Sequence, residues 1–238
     1  LVLMFSTPVI LAALGEAVGQ KSGVINIGLE GMMLASAYAS MIVTYQTHAP
    51  WLGLAAGLFV ACLIMVFQSI FVLKLACDQV VVGTAINLMM LWLTSGLYRS
   101  RFGQSGSLLS VEKLPQIGGF DPVMIFALVI TPVLWWIVNN TRFGLVVKAS
   151  GEYPMAAEAA GFSALRARWN ASIMAAIFAG LAGAHLTLGI NGSFAENVTQ
   201  GRGFLAIALV TFGRWNVIWV LLAGLGIGVL ESYQYGAQ

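Results

Sequence analysis

Long stretches without a charged side chain constrain this sequence more than any other feature. No Asp, Glu, Lys or Arg occurs in six ranges: 1–15, 31–73, 79–98, 122–141, 169–195 and 215–230. Only 8% of the 238 residues are charged and 59% are hydrophobic, whereas a soluble domain is about a quarter charged. A helix of about 20 apolar residues crosses the hydrocarbon of a membrane. We therefore expect an all-α polytopic membrane protein.

Two apolar ranges do not fit one straight crossing. The range 31–73 is too long for one helix, and the segment 48–50 (HAP) interrupts it, which predicts a helical hairpin whose second arm spans about 51–75. The stretch 204–213 is only half a crossing, and Arg202 precedes it. Irregular backbone occurs at membrane depth only where protein or a watery cavity covers it. This stretch is predicted to be a broken or re-entrant helix that lines a pathway.

Small residues recur one helical turn apart in four places. They form the series Gly15-Gly19-Gly23, Gly53-Gly57, Ala176-Gly180-Ala184 and Gly224-Gly228. Helices in lipid associate through close backbone contact, because the hydrophobic drive between them is small. The four series predict a compact transmembrane bundle.

Composition also excludes several functions. The net charge of +2 and the lack of a basic tail argue against a nucleic-acid partner. Cys62 and Cys77 lie in or beside apolar runs, which argues against a disulfide framework, and no metal-ligand spacing occurs. The segment 19–22 (GQKS) lacks the spacing of a phosphate-binding loop. We expect no metal, no cofactor, no catalytic residues and no enzymatic activity.

The distribution of positive charge suggests an orientation. If 140–168 is cytoplasmic, alternation of the spans places Lys21 and Lys74 on the same side. The outer loops are then 47–50, 99–120 and 191–203. The cytoplasmic side holds a slight excess of the Lys and Arg residues, as the positive-inside rule requires.

The predicted cytoplasmic loop, 142–168, gathers charge around alanines, and its part 151–168 reads GEYPMAAEAAGFSALRAR. Pro154 suits the first turn of a helix, strong helix formers follow it, and Gly161 suits the left-handed position after a helix end. This predicts a helix of about seven residues, roughly 10 Å long. A helix this short is not stable alone in water, so something must hold it.

Two interpretations of this short helix remain open. Ala156, Ala157 and Ala160 are spaced to share one smooth face, and Ser163 is the expected N-cap of the next helix. A helix lying on lipid headgroups usually presents bulky apolar side chains. The alanine face favours a docking helix that fits a groove on another protein.

Polar residues inside the apolar spans are the candidates for a transport path. Asn26 and Glu30 share a face if their glycine-rich segment is helical. In one interpretation, these two side chains face the translocation path or hold neighbouring helices together. In the other, Glu30 caps a helix end or forms a salt bridge with Lys21 near the membrane interface. Asn87 is a candidate to meet a polar solute, although hydrogen bonds between helices are the commoner use of a buried amide.

Two further polar residues have simpler interpretations. Asp78 is expected at the cytoplasmic start of the 79–98 helix, where a carboxylate suits the positive end of the helix dipole. His185 lies alone in its span, and a histidine without partners is usually a packing residue.

The stretch G-E-x-P-x-A-A-x-x-A-G-F over 151–162 resembles the cytoplasmic coupling motif of permease subunits of bacterial ABC importers. The resemblance is to the branched-chain amino acid and ribose permease class. Four further blocks agree: SGVINIGLEGMML (22–34), DQVVVGTAINLM (78–89), AGLAGA (179–184) and GRGFLAIALVTFGRWN (201–216). The first two of these blocks are most similar to the nucleoside and simple-sugar branch.

The resemblance implies a permease subunit of the bacterial cytoplasmic (inner) membrane that has no ATPase of its own. Its implied partners are two cytoplasmic ATP-binding subunits, a second permease subunit, alike or paralogous, and an extracytoplasmic solute-binding protein. The solute is expected to be a nucleoside or simple sugar, moved by alternating access. Residues 1–238 are expected to form a single permease domain that lacks parts at both ends, since the chain starts at Leu1 rather than Met.

The resemblance assigns coupling to the ATPase to residues of the short helix and its flanks: Gly151, Glu152, Pro154, Ala156, Ala157, Ala160 and Gly161. The residues expected to line the translocation path are Asn26, Glu30, Asn87 and Phe204. The alternative is an ion-coupled secondary transporter in which Asn26, Glu30 and Asp78 carry the ion. Such proteins usually contain more buried titratable residues and internal repeats.

Overall fold

The computed structural model describes residues 1–103, 110–116 and 118–236. In these ranges the elements are ten α-helices: α1 (Val2–Lys21), α2 (Leu29–Thr47), α3 (Pro50–Ser69), α4 (Gln79–Phe102), α5 (Pro122–Asn140), α6 (Arg142–Glu152), α7 (Pro154–Ala159), α8 (Ala164–His185), α9 (Arg202–Phe212) and α10 (Val217–Gly236). Two π-helical turns, Ile70–Lys74 and Leu186–Asn191, extend α3 and α8. The predicted all-α class is confirmed.

Helix boundaries follow local signals in the sequence. The Asp78 carboxylate accepts hydrogen bonds from the backbone N–H groups of Val80 and Val81 at 2.9 and 3.0 Å, so it caps α4 as predicted. The Ser163 hydroxyl caps α8 in the same way. His48 adopts a left-handed conformation with φ of 54° between α2 and α3, which confirms the predicted hairpin.

Six helices in the described ranges are long and apolar enough to cross a membrane. The helix α2 is not one of them, because serines, tyrosines and Glu30 reduce its hydropathy. It is largely buried and packs against α3, α4, α8 and α9. The peripheral helices α3, α4, α5 and α10 expose apolar side chains. The chain is therefore a multi-pass integral membrane protein whose most polar crossing lies at its centre.

Small residues mediate the helix contacts, as predicted. A Cβ atom on Gly15 of α1 would lie 2.6 Å from Cβ of Phe178 in α8. A Cβ on Gly180 of α8 would lie 3.0 Å from Cα of Leu58 in α3. Gly224 of α10 has Ile10 of α1 against it. The bundle is held at distances that larger side chains would not allow.

The two ends of the bundle are distinct. At one end, here called the Lys21 end, Arg168 donates hydrogen bonds to the backbone carbonyls of Ser22 and Ser150. At the other end, the Lys113 ammonium donates to the carbonyl of Ile190 at 2.7 Å. The predicted loop 99–120 lies at this second end, although 104–109 and 117 fall outside the described residues.

The segment after α8 corrects one prediction. Residues 191–203 were expected to form an outer loop, but Phe194 is fully buried between Tyr38 and Tyr98, and Thr199 is also fully buried. The backbone therefore descends into the bundle and α9 completes this crossing with only 11 residues. It descends because a buried carboxylate on α2 bonds to the start of α9. The predicted half-length helix is confirmed.

Candidate functional site

A buried carboxylate joins two helices at the centre of the bundle. Glu30, in the first turn of α2, is 8% exposed. One carboxylate oxygen accepts hydrogen bonds from the Thr199 hydroxyl at 2.5 Å and the Gly201 N–H at 2.8 Å. The other accepts from the Gly203 N–H at 2.6 Å. Glu30 thus caps α9 from another helix and compensates for the unpaired N–H groups at its start.

This junction lies well inside the bundle. Asn87 is near Glu30, and it is eight residues beyond the start of α4, which corresponds to about 12 Å along the helix. The Trp215 indole, just after α9, bonds to Gln20 at the Lys21 end. The helix α9 therefore runs from the interior to that end. The structure combines parts of both interpretations of Glu30. The carboxylate caps a helix end, and it also holds two helices together. The helix that it caps is α9, and Glu30 does not pair with Lys21.

Asn87 fastens α4 to the break between α1 and α2. Its amide oxygen accepts from the Gly31 N–H at 2.8 Å, and its amide nitrogen donates to the Ile27 carbonyl at 2.8 Å. A Cβ on Gly83, one turn earlier, would lie 2.7 Å from the Gly28 nitrogen. Asn87 therefore forms the hydrogen bonds between helices that are the commoner use of a buried amide. Its side chain also borders a cavity.

Asn26 does not share a face with Glu30, which corrects the predicted pairing. Residues 22–28 are not helical, and Gly23 there has φ of +87°, a conformation that glycine adopts without steric cost. The Asn26 N–H donates to the Glu16 carboxylate at 3.0 Å, and its side-chain amide contacts the Met32 sulfur at 3.4 Å. Asn26 therefore bonds to α1 through its backbone and contacts α2 through its side chain.

A cavity of about 280 Å³ lies beside the Glu30 junction. Glu30, Asn87 and Phe204 border it, so the structure brings together three of the four residues predicted for a path. Thr84 and Asn197 add polar groups to its wall. Sequence reasoning missed Asn197 and Thr199 as parts of this site, because the segment 191–203 was expected to be an outer loop.

The short helix predicted at the Lys21 end is α7, six residues from Pro154 to Ala159. Gly161 follows it with φ of +83°, as the C-terminal glycine signal predicts. The three alanines do not form one exposed face: Ala157 is 3% exposed and contacts the protein interior, while Ala156 and Ala160 are exposed. A helix packed on its own chain must bury one face, and Ala157 is on it.

The exposed face of α7 and its flank carries larger side chains than predicted. Tyr153 and Met155 are 73% and 83% exposed, and Glu152 is also exposed. Gly151, just before them, packs closely against the backbone of Lys21. The buried Ala157 and this backbone contact answer the question of what holds so short a helix. The result is a rigid surface helix with an apolar tip.

His185 is not alone in the bundle, which corrects its interpretation as a residue without partners. Its Nε2 atom lies 2.8 Å from a carboxylate oxygen of Asp121, and both side chains are buried. The Asp121 carboxylate also accepts from the N–H groups of Val123 and Met124. The pair joins the start of α5 to the end of α8, a contact over 64 residues that spacing alone did not predict.

The three residues of the ion-coupled alternative do not meet. Asp78 is an exposed helix cap, Asn26 packs towards Glu16, and Glu30 is saturated by α9. A multi-pass bundle with an interrupted crossing, a polar cavity beside that interruption and a rigid surface helix at one end belongs to the class of membrane transport proteins.

Comparison with known sequences narrows this class. The chain belongs to the family described as branched-chain amino acid transport system / permease component, whose profile matches residues 1–238. It is therefore a membrane-spanning permease subunit, a transport component rather than an enzyme. In bacteria such subunits lie in the inner membrane.

Characterised relatives cover nearly the whole chain. It is 31% identical to the guanosine ABC transporter permease protein NupQ of Bacillus subtilis, over 97% of this chain and 79% of the relative. It is 29% identical to the nucleoside ABC transporter permease protein NupC of Lactococcus lactis, with the same coverage. It is 31% identical to the putative glucose ABC transporter permease protein TsgC13 of Haloferax volcanii, over 98% of this chain and 75% of the relative. No solved structure matches the chain significantly.

Proposed function

We propose that this permease subunit imports a nucleoside or a simple sugar through the cavity beside Glu30. The relatives named for guanosine, nucleoside and glucose transport support this solute class. The single observation that carries the proposal is the composition of the cavity. Thr84, Asn87 and Asn197 supply hydrogen-bonding groups, and Phe204 supplies a half-exposed aromatic ring. An aromatic ring stacks on a base or on the apolar face of a sugar.

Transport through this cavity requires α9 to move relative to α2. The half-length α9 is attached at its start through Glu30, and its other end lies at the Lys21 end near Gln20. A displacement at that end is therefore transmitted to the wall of the cavity at Gly201 and Phe204. Rigid-body movement of packed helices is an established way to alternate access between two sides.

The energy for this movement is proposed to come from separate cytoplasmic ATP-binding subunits that dock on α7. Tyr153 and Met155 form an exposed apolar tip, and Ala157 and Gly151 fix the helix to the bundle. Arg168 connects the same region to the carbonyls of Ser22 and Ser150. A push on α7 is thereby transmitted to the ends of α1 and α6. On this proposal the Lys21 end is cytoplasmic.

The remaining partners follow from the family. A second permease subunit, identical or paralogous, is proposed to face this one across the translocation path. An extracytoplasmic solute-binding protein is proposed to dock at the end that holds His48 and Lys113. The segment 191–203 is removed from that docking surface, because most of it descends into the bundle.

Crosslinking in the assembled transporter tests the docking of α7. The variant Met155→Cys should form a crosslink to the ATP-binding subunit, and its yield should change when ATP is added. The matched control, Ala157→Cys in the same helix, should react poorly because Ala157 faces the interior. If ATP-driven uptake continues unchanged with Met155→Glu, the proposed docking of α7 is wrong.

Uptake kinetics test the cavity. In proteoliposomes containing the full transporter, Phe204→Ala should raise the KM for guanosine or glucose at least about fivefold, because one stacking contact is worth about 1–3 kcal/mol. Leu222→Ala on the exposed face of α10 is the control and should leave the KM unchanged. An unchanged KM with Phe204→Ala would exclude the cavity as the solute path.

A further inference from the structure

A second cavity, of about 400 Å³, opens at the Lys21 end between α1, α6 and the turn that joins α9 to α10. Three cationic side chains line it, from Lys21, Lys148 and Arg214, together with the single carboxylate of Glu152. The walls therefore carry a net positive charge. This concentration of charge is unusual in a chain with only 11 Lys and Arg residues.

The cations of this cavity are not neutralised by the protein. Lys21 and Lys148 are close enough that their charges repel each other. The Lys148 ammonium donates a hydrogen bond to the neutral amide of Asn139 at 3.0 Å. In the described residues, no carboxylate lies within 4.0 Å of any of the three cationic groups, Glu152 included. Like charges held together without a counter-ion attract an anion.

The backbone conformation of the turn between α9 and α10 also supports an anion site. Arg214 and Trp215 both have positive φ, 50° and 58°, which costs a residue with a side chain on the order of 1 kcal/mol each. Two consecutive strained residues place the guanidinium and the indole at the cavity. The Trp215 indole N–H is held by the Gln20 side chain at 2.7 Å. Strain of this kind is commonly retained where a side chain must be positioned for a ligand.

Exposed aromatic residues lie close in the chain to Trp215, which lines the cavity. Phe212 is 82% exposed, Trp219 is 61% exposed, and Trp215 lies between them in the chain. Tryptophan is enriched where a membrane protein meets the headgroup layer. The basic cavity, with Trp215 in its wall, therefore lies at the level where a phospholipid headgroup is found.

We propose that this cavity binds a phosphate group, held between Lys21, Lys148 and Arg214, and that the phosphate belongs to an anionic phospholipid. Basic pockets between membrane helices on the cytoplasmic side accept such headgroups. Free inorganic phosphate offers the same chemistry but has no acyl chains that could contact apolar side chains such as Phe212 and Trp219. Binding would join α1, α6 and the end of α9 through a single ligand. This proposal is independent of the solute that the permease carries.

Native mass spectrometry of the purified chain in detergent tests the proposal. Dioctanoyl phosphatidylglycerol is the anionic lipid probe, dioctanoyl phosphatidylcholine is the zwitterionic lipid probe, and inorganic phosphate is the free anion. The wild-type chain should retain one phosphatidylglycerol in preference to phosphatidylcholine, and millimolar phosphate should not displace it. Displacement by phosphate would assign the cavity to free phosphate and overturn the lipid source.

Variants that remove the cationic groups of the cavity test whether the lipid binds there. The double variant Lys21→Gln/Arg214→Gln should bind phosphatidylglycerol about 30-fold more weakly, because each cation near a membrane surface contributes about a fivefold factor. The control Lys74→Gln/Arg101→Gln removes two cations outside the cavity and should bind as the wild type does. Lys148→Gln is a second test in case the double variant does not fold. Equal binding by the wild type and by every folded cavity variant would overturn the proposal.

An experiment on the assembled transporter distinguishes a bound lipid from a protein partner, because an acidic surface of an ATP-binding subunit could also cover the three cations. Phosphatidylglycerol should remain bound when the ATP-binding subunits are present. Loss of the lipid on assembly would mean that a protein partner occupies the cavity, and would contradict lipid binding in the working transporter.

Discussion

The carboxylate of Glu30 accepts a hydrogen bond from the backbone N–H of Gly203 at 2.6 Å, and so joins α2 to the start of a half-length helix 173 residues further along the chain. Helix α9 begins inside the bundle, where water is not available to its first N–H groups, and each unsatisfied group would be costly. The carboxylate provides the missing acceptors. A single side chain thus makes an interrupted crossing possible at this depth.

Removal of this charge should destabilise the protein. In Glu30→Gln, one oxygen is replaced by an NH₂ group that cannot accept a hydrogen bond, so at least one N–H of α9 loses its partner. The loss of a hydrogen bond to a charged group costs about 2 kcal/mol, which should lower the Tm in detergent by about 6 °C. Glu112→Gln, an exposed carboxylate at the other end, should leave the Tm unchanged. Equal Tm values for the two variants would contradict the capping role.

Close packing between α8 and α2 should not tolerate a methyl group. A Cβ on Gly183 would lie 2.9 Å from the carbonyl carbon of Met33 and closer still to its oxygen. We expect Gly183→Ala to cost about 1–3 kcal/mol through overpacking. The matched control is Gly226→Ala in α10, where a Cβ meets nothing within 4 Å. Thermal unfolding of both variants in detergent distinguishes them, and a loss of stability in Gly226→Ala alone would refute the packing argument.

The two hydrogen bonds of Asn87 should contribute to the free energy of unfolding of the protein. Asn87→Ala leaves the Gly31 N–H and the Ile27 carbonyl without their side-chain partner, and each buried unpaired group costs about 1–3 kcal/mol. Thr84→Ala, one turn away on the cavity wall, removes no side-chain hydrogen bond found in the structure and should keep the wild-type Tm. A pure solute-binding role for Asn87 predicts the opposite, an altered KM with an unchanged Tm. Both quantities can be measured on the same purified samples.

The Asp121 and His185 pair should make stability depend on pH in a specific direction. Burial acts to raise the pKa of Asp121, but His185 and two backbone N–H groups more than offset it, and the pKa lies below its ordinary value of 3.8. A lowered pKa means that the stabilisation is present above pH 3.8 and is lost as the pH falls through the lower, folded-state pKa.

The variant Asp121→Asn isolates this contribution, because asparagine still caps α5 but carries no charge. The Tm difference between wild type and variant should persist down to about pH 4 and shrink below it. The measurement is a pH series of thermal unfolding in detergent. A difference that instead grows as the pH decreases would show that the charged carboxylate of Asp121 is not the source of the stabilisation.

Much of the architecture is local information and was therefore predictable. The hairpin break at 48–50, the caps at Asp78 and Ser163, and the glycine after α7 each depend on the conformational preferences of a few neighbouring residues. The small-residue series also predicted that the helices pack closely. Absence of charge identified the crossings, since lipid excludes ionised side chains regardless of how the helices are arranged.

The sequence by itself determined the class of the protein, its charge-free crossings and the short helix α7. Only the tertiary structure decided that Glu30 bonds to α9, that Asp121 meets His185, that the Asn26 N–H bonds to Glu16 and that Ala157 faces inward. In an almost wholly apolar helix, the sequence contains little information about which side faces the interior. The partners of a buried polar group are therefore set by how the helices pack, and those partners lie far away along the chain.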